Sequence, residues 1–405
     1  MRIVERLNLR AEGVCGPVSI ARTLPGEAVD GAVVGDRIAQ PRILTPSIHR
    51  VSAPCRHYKA CGGCSLMHAS DDFVAAWKQG VVVQALSAQG LSAPFRPLVT
   101  SPPQSRRRAT LAGRRLKSGA LVGFHGRASD TVTAIPECRL LDPALIGAIP
   151  ALEALVLAGG SRQAEVKLTV TAFASGVEVA VVGGKPIDDA LRRLLPQIAA
   201  EHRLARLAWD GDVLFQPEPP VLMLGRARVS PPPGAFLQAT AQGEAALLAG
   251  VRDAIGPAER VADLFSGCGT FALPLTERAE VHAVESSAAM IAALDKGWRG
   301  APGLKRLTTE ARDLFRRPLL PDELAHFDAV VLDPPRAGAE AQVAEVARAR
   351  VPRIAMVSCN PVTFARDARG LVQAGYRLDW VQGVDQFRWS AHVELVAQLS
   401  LAHIG

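Results

Sequence analysis

The chain has 405 residues, 48% of them hydrophobic and 21% charged, which is too long for one ordinary core and leads us to expect two to four domains. Its 46 basic and 39 acidic residues leave a net charge of +7, a mild excess that points to a polyanionic partner only where it is clustered. No run approaches the ~20 apolar residues of a membrane span, and the charged start "MRIVERLNLRAEG" has no signal-peptide core, so the expectation is a cytoplasmic protein.

Residues 1–52 read as short alternating strands, "RIVERLNL", "GPVSIART" and "DGAVVGDRIA", broken by glycines and by "LPGE". The pattern suits a small β-barrel of the oligonucleotide-binding kind, or equally a small β-domain that binds nothing. Next, "APCRHYKACGGCSLMH" crowds Cys55, Cys61 and Cys64 into one tight loop, with Gly62 and Gly63 free to fold around whatever the sulfurs hold. In a cytoplasmic chain, cysteines so spaced read as metal ligands before disulfides. The best candidate for a fourth ligand is Cys138 in "TAIPECRLLDP", with His57 or His68 as substitutes. Four thiolates suit zinc or an iron–sulfur cluster, and spacing does not choose between them.

The stretch "DDFVAAWKQGVVVQALSAQGL", about 71–92, has helical spacing with Asp71 and Asp72 near its start. Residues 97–230 mix strands, turns and a helix. Their most charged part carries Arg106, Arg107, Arg108, Arg114, Arg115 and Lys117 with no acidic residue among them. That run reads either as a solvated hairpin or as a phosphate contact for RNA. "VSPPPGAF" is the clearest break, so the domains are expected at 1–52, 53–230 and 231–405.

Beyond Pro257, strand and helix alternate in "RVADLFSGCGTFALPL", "EVHAVESSAAMIAAL", "FDAVVLDPPRAG" and "RIAMVSCNPVTFARDARGL". Such alternation predicts a doubly wound parallel sheet, an α/β fold of the Rossmann kind, with ligands beyond the carboxyl ends of the strands. Those ends carry Asp263 with Gly267 and Gly269, then Glu285, Asp313, Asp333 and Cys359. The glycine turn is not G-x-G-x-x-G, which lowers the weight of a dinucleotide. Glu285 is placed to accept both hydroxyls of a ribose, the pattern used for S-adenosylmethionine.

Substrate chemistry follows from two further stretches. In "LDPPRAG", Arg336 stands where enzymes methylating exocyclic amines place an aromatic residue. Uracil C5 is too weak a nucleophile to attack a sulfonium methyl group, unless a thiolate first adds to C6. A base must then remove the C5 proton. Cys359 in "VSCNPVTFARD" and Glu394 in "DQFRWSAHVELVAQL" fit those roles, and His392 is read as orienting the loop. Cys268 is read as inert.

Taken with "PCRHYKACGGC" and "FLQAT", these motifs make the chain resemble the bacterial RNA uracil-5-methyltransferase family, over nearly its whole length. Its ribosomal branch carries an N-terminal TRAM domain and a four-cysteine iron–sulfur site. The resemblance implies Cys359 as nucleophile and Glu394 as proton acceptor. It implies a donor site lined by Gln238, Phe265, Thr270, Glu285, Asp313 and Asp333. It also implies a [4Fe–4S] cluster on Cys55, Cys61, Cys64 and Cys138, and a helix after the cysteine loop that packs on the catalytic domain. The expected substrate is 23S ribosomal RNA, with transfer RNA second. An RNA-binding iron–sulfur protein with a non-catalytic scaffold and a 5-methylcytosine enzyme are the other readings. Thr240 and Arg388 depart from the family, which usually has Asn and Pro there.

Overall fold

The computed structural model describes residues 1–401. At the N-terminus, strands Arg2–Ile3, Ala28–Asp30 and Arg42–Thr45 form one sheet. Strands Arg6–Leu7, Gly13–Cys15, Val18–Ile20 and Arg37–Ile38 form a second. The alternation seen in sequence buries Val4, Val18, Ile20, Val29 and Ile38 as a small shared core. A core of that size needs help. The fully buried Glu27 supplies some by accepting from Arg50 Nη2 at 2.7 Å, which ties the β-domain to the segment that follows it.

After the cysteine loop comes helix α1 (Asp71–Ser87) and then strand β1 (Phe95–Thr100). Val74, Lys78, Val82 and Leu86 recur every four residues and form the buried face of α1. The next two strands, β2 (Arg108–Arg115) and β3 (Ala120–His125), open a seven-stranded sheet that runs on through residues 132–215. Helices Ile149–Gly159 and Asp189–Glu201 pack on it around Leu111, Leu152, Leu168 and Leu207.

The last part begins with α2 (Ala241–Ile255) and continues β4 (Arg260–Leu264), β5 (Glu280–Glu285), α3 (Ala288–Arg299), β6 (Leu307–Ala311), β7 (Ala329–Leu332), α4 (Glu340–Ala349), β8 (Arg353–Ser358), α5 (Pro361–Gln373), β9 (Tyr376–Asp385) and β10 (Glu394–Leu401). The sheet order is β6-β5-β4-β7-β8-β10-β9-β1. β4 to β8 run parallel, and β10 is antiparallel to both β8 and β9. Both faces are covered, which is why strands such as "AVVL" and "IAMVS" are apolar throughout. The chain winds outward from β4 to β6 and then returns to β7. That reversal opens a crevice above the carboxyl ends of β4 and β7.

The expected edge at 231 and the reading of 53–230 as one unit need correction, whereas the helix after the cysteine loop packs on the catalytic domain as expected. Strand β1 pairs in parallel with β9 and forms the edge of the catalytic sheet, and α1 packs beside α5. The hairpin Leu222–Leu224 with Ala227–Val229 shares a core with α2, through Leu224, Ala227, Val229, Leu247 and Val251. Both segments therefore lie in the catalytic unit, and the seven-stranded domain is inserted between them. The reason is pairing and burial: β1 satisfies the ladder edge of β9, and Val82 and Leu86 of α1 join the core beside it.

Candidate active site

The crevice holds a pocket of about 540 Å³. At its floor, β4 ends in Leu264 and the chain turns with Phe265 in the left-handed region, at φ 65°, followed by Gly267 at 56° and Gly269 at 96°. A Cβ on Gly269 would lie 2.9 Å from Leu273 and Leu294, so glycine is required there by space as well as by conformation. The turn aims the Gly267 N–H at Glu285 Oε2, 3.2 Å away, while Glu285 Oε1 accepts from Ser287 N at 2.9 Å. This fixes the Glu285 carboxylate at the rim, at the end of β5. Phe265 and Phe315 approach with ring centroids 5.6 Å apart, and Asp313 Oδ1 accepts from Phe315 N at 3.0 Å.

Gln238, Phe265, Thr270, Glu285, Asp313 and Asp333, all expected for the donor, line this one pocket together with Cys359 and Glu394. Its charged lining is mostly acidic. Of the two arginines, Arg312 is already held by Glu323 at 2.7 Å. A carboxylate fixed at the rim, where the hydroxyls of a nucleoside could reach it, with an aromatic pair close by suits the nucleoside part of the donor. The residues present therefore fit S-adenosylmethionine. Beneath the turn, Asp263 is fully buried with neither carboxylate oxygen partnered. Burial, then the charges of Asp333 and Glu285, push it well above the usual carboxylate range.

Cys359 follows the last residue of β8 and is half-buried. Asn360 and Pro361 behind it are explained by the start of α5: Asn360 Oδ1 accepts from Val362 N at 3.1 Å, and Pro361 takes the first helical turn. Asn360 Nδ2 also donates to Arg336 O at 2.9 Å, locking the β7 and β8 loops together. Burial raises the Cys359 thiol, with Glu394 and Asp333 adding to the effect and Arg336 opposing it. Asp333 is pushed up to about 7 by burial. Glu394, at the start of β10, is pushed up to about 8, first by burial and then by Asp333, with a hydrogen bond from Gln386 pulling the other way. A carboxylate tuned that close to neutrality is the profile of an acid–base group. His392 Nδ1 pairs with Arg336 Nη2 at 2.8 Å and so braces the loop over the pocket. Cys268 is buried and faces the apolar core, in keeping with an inert role.

Away from this pocket, Cys55, Cys61, Cys64 and Cys138 come together around one small cavity closed by Tyr58, Phe124, Ile135 and Leu140. Gly63 N and Leu140 N point at the sulfurs of Cys61 and Cys138, at 3.3 and 3.4 Å. Burial pushes the Cys61, Cys64 and Cys138 thiols up, and each is raised further by the other cysteines. No group of three His, Cys, Asp or Glu among the described residues is drawn in tightly enough to hold a metal ion. His68 does not line the cavity: it is buried with Nδ1 2.6 Å from Tyr58 Oη, and burial holds it down to about 4. His57 Nε2 is buried beside the cavity without a partner.

Phosphate contact by Arg106, Arg107 and Arg108 is corrected by their surroundings. Arg107 Nη2 pairs with Glu244 at 2.6 Å and its Nε donates to Gln238 O at 3.2 Å. Arg108 donates to Ala235 O at 2.9 Å and to Gly234 O at 3.0 Å. Arg106 donates to Arg108 O and lies 5.6 Å above the Phe387 ring. Arg107 and Arg108 stand at the junction with residues 234–244, where loop carbonyls need donors, and Arg106 lies over Phe387, so these guanidiniums are held between segments. Arg114, Arg115 and Lys117 sit on the β2–β3 hairpin, with Arg114 3.3 Å from Glu165.

Two features escaped the motifs. Lys78 Nζ, fully buried on α1, bonds Asp385 Oδ1 at 2.6 Å and Phe387 O at 3.1 Å. The loop 386–393 that this anchors touches both sites: Trp389 O accepts from Ser65 N and Leu66 N at 2.6 and 2.8 Å in the cysteine loop, and Gln386 reaches Glu394. Arg388, where the family usually has Pro, pairs with Asp71 at 2.6 Å and donates to Ser101 O at 3.1 Å. Thr240 caps α2 through Gly243 N at 2.9 Å and meets Ser101 Oγ at 2.7 Å.

A protein of Mesorhizobium japonicum named as an RNA methyltransferase is 44% identical, over 98% of this chain and 97% of its own length. A Pseudomonas putida protein named 23S rRNA (uracil(1939)-C(5))-methyltransferase is 35% identical, over 93% of this chain and 87% of its own. The chain belongs to the bacterial RNA uracil-5-methyltransferase family. The family model described as tRNA (uracil-5-)-methyltransferase matches residues 300–401, which contain β7, Cys359 and Glu394. The fold is that of the Pyrococcus abyssi tRNA (uracil-54, C5)-methyltransferase solved with S-adenosyl-L-homocysteine, with a TM-score of 0.78 at 23% identity over 98% of both chains. No helix of the described residues is long and apolar enough to cross a membrane.

Proposed function

We propose that this S-adenosylmethionine-dependent enzyme converts a uridine of 23S ribosomal RNA to 5-methyluridine through Cys359 and Glu394. The observation that carries the reading is that the thiol, the carboxyl tuned to about 8 and the whole set of donor residues line a single pocket. When bound at Gln238, Phe265, Thr270, Glu285, Asp313 and Asp333, S-adenosylmethionine supplies an electrophilic methyl group and a positive sulfonium charge. The Cys359 thiolate forms a bond to uracil C6, and the C5–C6 electron pair becomes available at C5. With the methyl group on C5, ionised Glu394 takes the C5 proton. The pair left behind restores the double bond as the carbon–sulfur bond breaks and the thiolate departs.

The ribosomal assignment is supported by the Pseudomonas putida relative, which is similar along nearly the whole chain. The test is to offer deproteinised 23S rRNA and transfer RNA to the enzyme with a labelled methyl donor. Label should enter 23S rRNA as 5-methyluridine; label in transfer RNA alone would contradict the reading.

Cys55, Cys61, Cys64 and Cys138 would hold a [4Fe–4S] cluster that organises structure, since methyl transfer moves no electron. What supports the reading is that the four thiols line one small cavity walled by apolar side chains. Protein purified without oxygen should contain about four irons per chain, and stoichiometric zinc without iron would refute the cluster.

Arg114, Arg115 and Lys117 are the remaining candidates for phosphate contact. Replacing all three by Ala should lower the salt dependence of RNA binding by up to about one unit of log–log slope per contact. An unchanged slope would mean that the hairpin is only solvated.

A further inference from the structure

Gln386 stands between two functional side chains and has no role in the chemistry above. It follows Asp385, the residue anchored by Lys78, and is 1% exposed. Its Nε2 donates to Glu394 Oε2 and, at 2.6 Å, to Gln238 Oε1. Its Oε1 accepts from Thr240 N at 3.4 Å. Because the Thr240 N–H can only donate, the amide has one orientation, and that orientation puts a donor on the carboxyl of Glu394. Glu394 Oε1 keeps no partner and faces the pocket.

We infer that Gln386 is the positioning residue of the catalytic base, bonding one oxygen of Glu394 so that the other faces the pocket, and linking that placement to Gln238 in the donor site. The inference rests on the assignment of Glu394 as proton acceptor. A hydrogen bond to the ionised form favours it, and here it works against strong opposition. Burial and the neighbouring Asp333 favour the protonated acid, and the Cys359 thiol lies on the same wall. The cationic groups nearby are engaged elsewhere: Arg336 with His392, Lys78 with Asp385. Among the described residues, the donor reaching Glu394 is therefore the Gln386 amide. Through Gln238 the same amide senses the donor site, so a disturbed donor pocket also disturbs the base.

The experiment is the pH profile of C5 proton release in single turnovers with saturating RNA and donor. In the wild type the rate should rise with an apparent pKa near the value of about 8 held by Glu394. Gln386→Met keeps the volume and removes the donor. Its profile should move up by about one pH unit, with an about tenfold loss at pH 7 that disappears above pH ~9.5. Gln386→Glu sets a second carboxyl beside Glu394 and should move the profile further in the same direction. Melting curves select folded protein, and the second variant serves if the first does not fold. A loss equal at every pH in the folded variants, or no loss at all, would overturn the inference. No proton release from the wild type would instead condemn the assignment of Glu394 itself.

Discussion

Cys359→Ser is expected to lower methylation by more than about a thousandfold while leaving S-adenosylmethionine affinity within about threefold. The hydroxyl is a far poorer nucleophile at the same position, whereas the donor is held from Glu285, Asp313 and the glycine turn. Equilibrium binding of the donor beside turnover checks both halves. Glu394→Gln has a different expected result, because its defect comes after methyl transfer. Cys359 should still attack C6 and the methyl should still arrive at C5, but the proton stays. The product is methylated RNA joined to Cys359, visible as a slower band in denaturing electrophoresis and absent from the Cys359→Ser, Glu394→Gln double variant. Gln386 then presents its amide to a neutral partner, so the geometry at the site survives. A Glu394→Gln enzyme with full turnover would remove Glu394 from the mechanism.

Lys78→Met should cost about 3–5 kcal/mol of stability, because it leaves Asp385 buried and unpaired. Burial pushes Lys78 down and Asp385 up, and the partner opposes that shift in each case, so either charge alone would lose its main support. The Phe387 carbonyl also loses its donor, and the loop carrying Gln386 and Trp389 loses its anchor. Urea unfolding measures the loss. Combining Lys78→Met with Asp385→Leu should recover more than half of it, since an apolar pair of similar volume can replace a buried ion pair. A single variant within 1 kcal/mol of the wild type would show that the pair carries little.

How much of this was legible in the sequence varies with the range of the interaction. Doubly wound strands were legible because the central ones are almost wholly apolar, as in "AVVL", and alternate with amphipathic helices. The strand-end residues then fell on one edge by topology alone. Asn360 and Pro361 announced the start of α5, and so placed Cys359 at a strand end. The domain edges were not legible, since β1 pairs with β9, far along the chain, and nothing in "FRPLVT" names its partner. Lys78 and Asp385 are 307 positions apart, and a lysine on an apolar helix face reads as surface until its partner is seen. The arginine run misled because charge in sequence does not say which carbonyls lie nearby; Arg107 and Arg108 meet Gln238 O, Ala235 O and Gly234 O only in the fold. Gln386 stood in plain view inside "DQFRWSAHVE", eight residues before Glu394, but a glutamine carries no charge signal.

The claim on which all of this turns is that the methyl group replaces the hydrogen at uracil C5. RNA labelled with tritium at uridine C5, incubated with wild-type enzyme and S-adenosylmethionine, measures that replacement directly. One tritium should enter water for each methyl group transferred, at the same rate, with none released by Cys359→Ser. Methyl incorporation by the wild type with tritium retained in the RNA would contradict the account, because no substitution at C5 can keep that hydrogen.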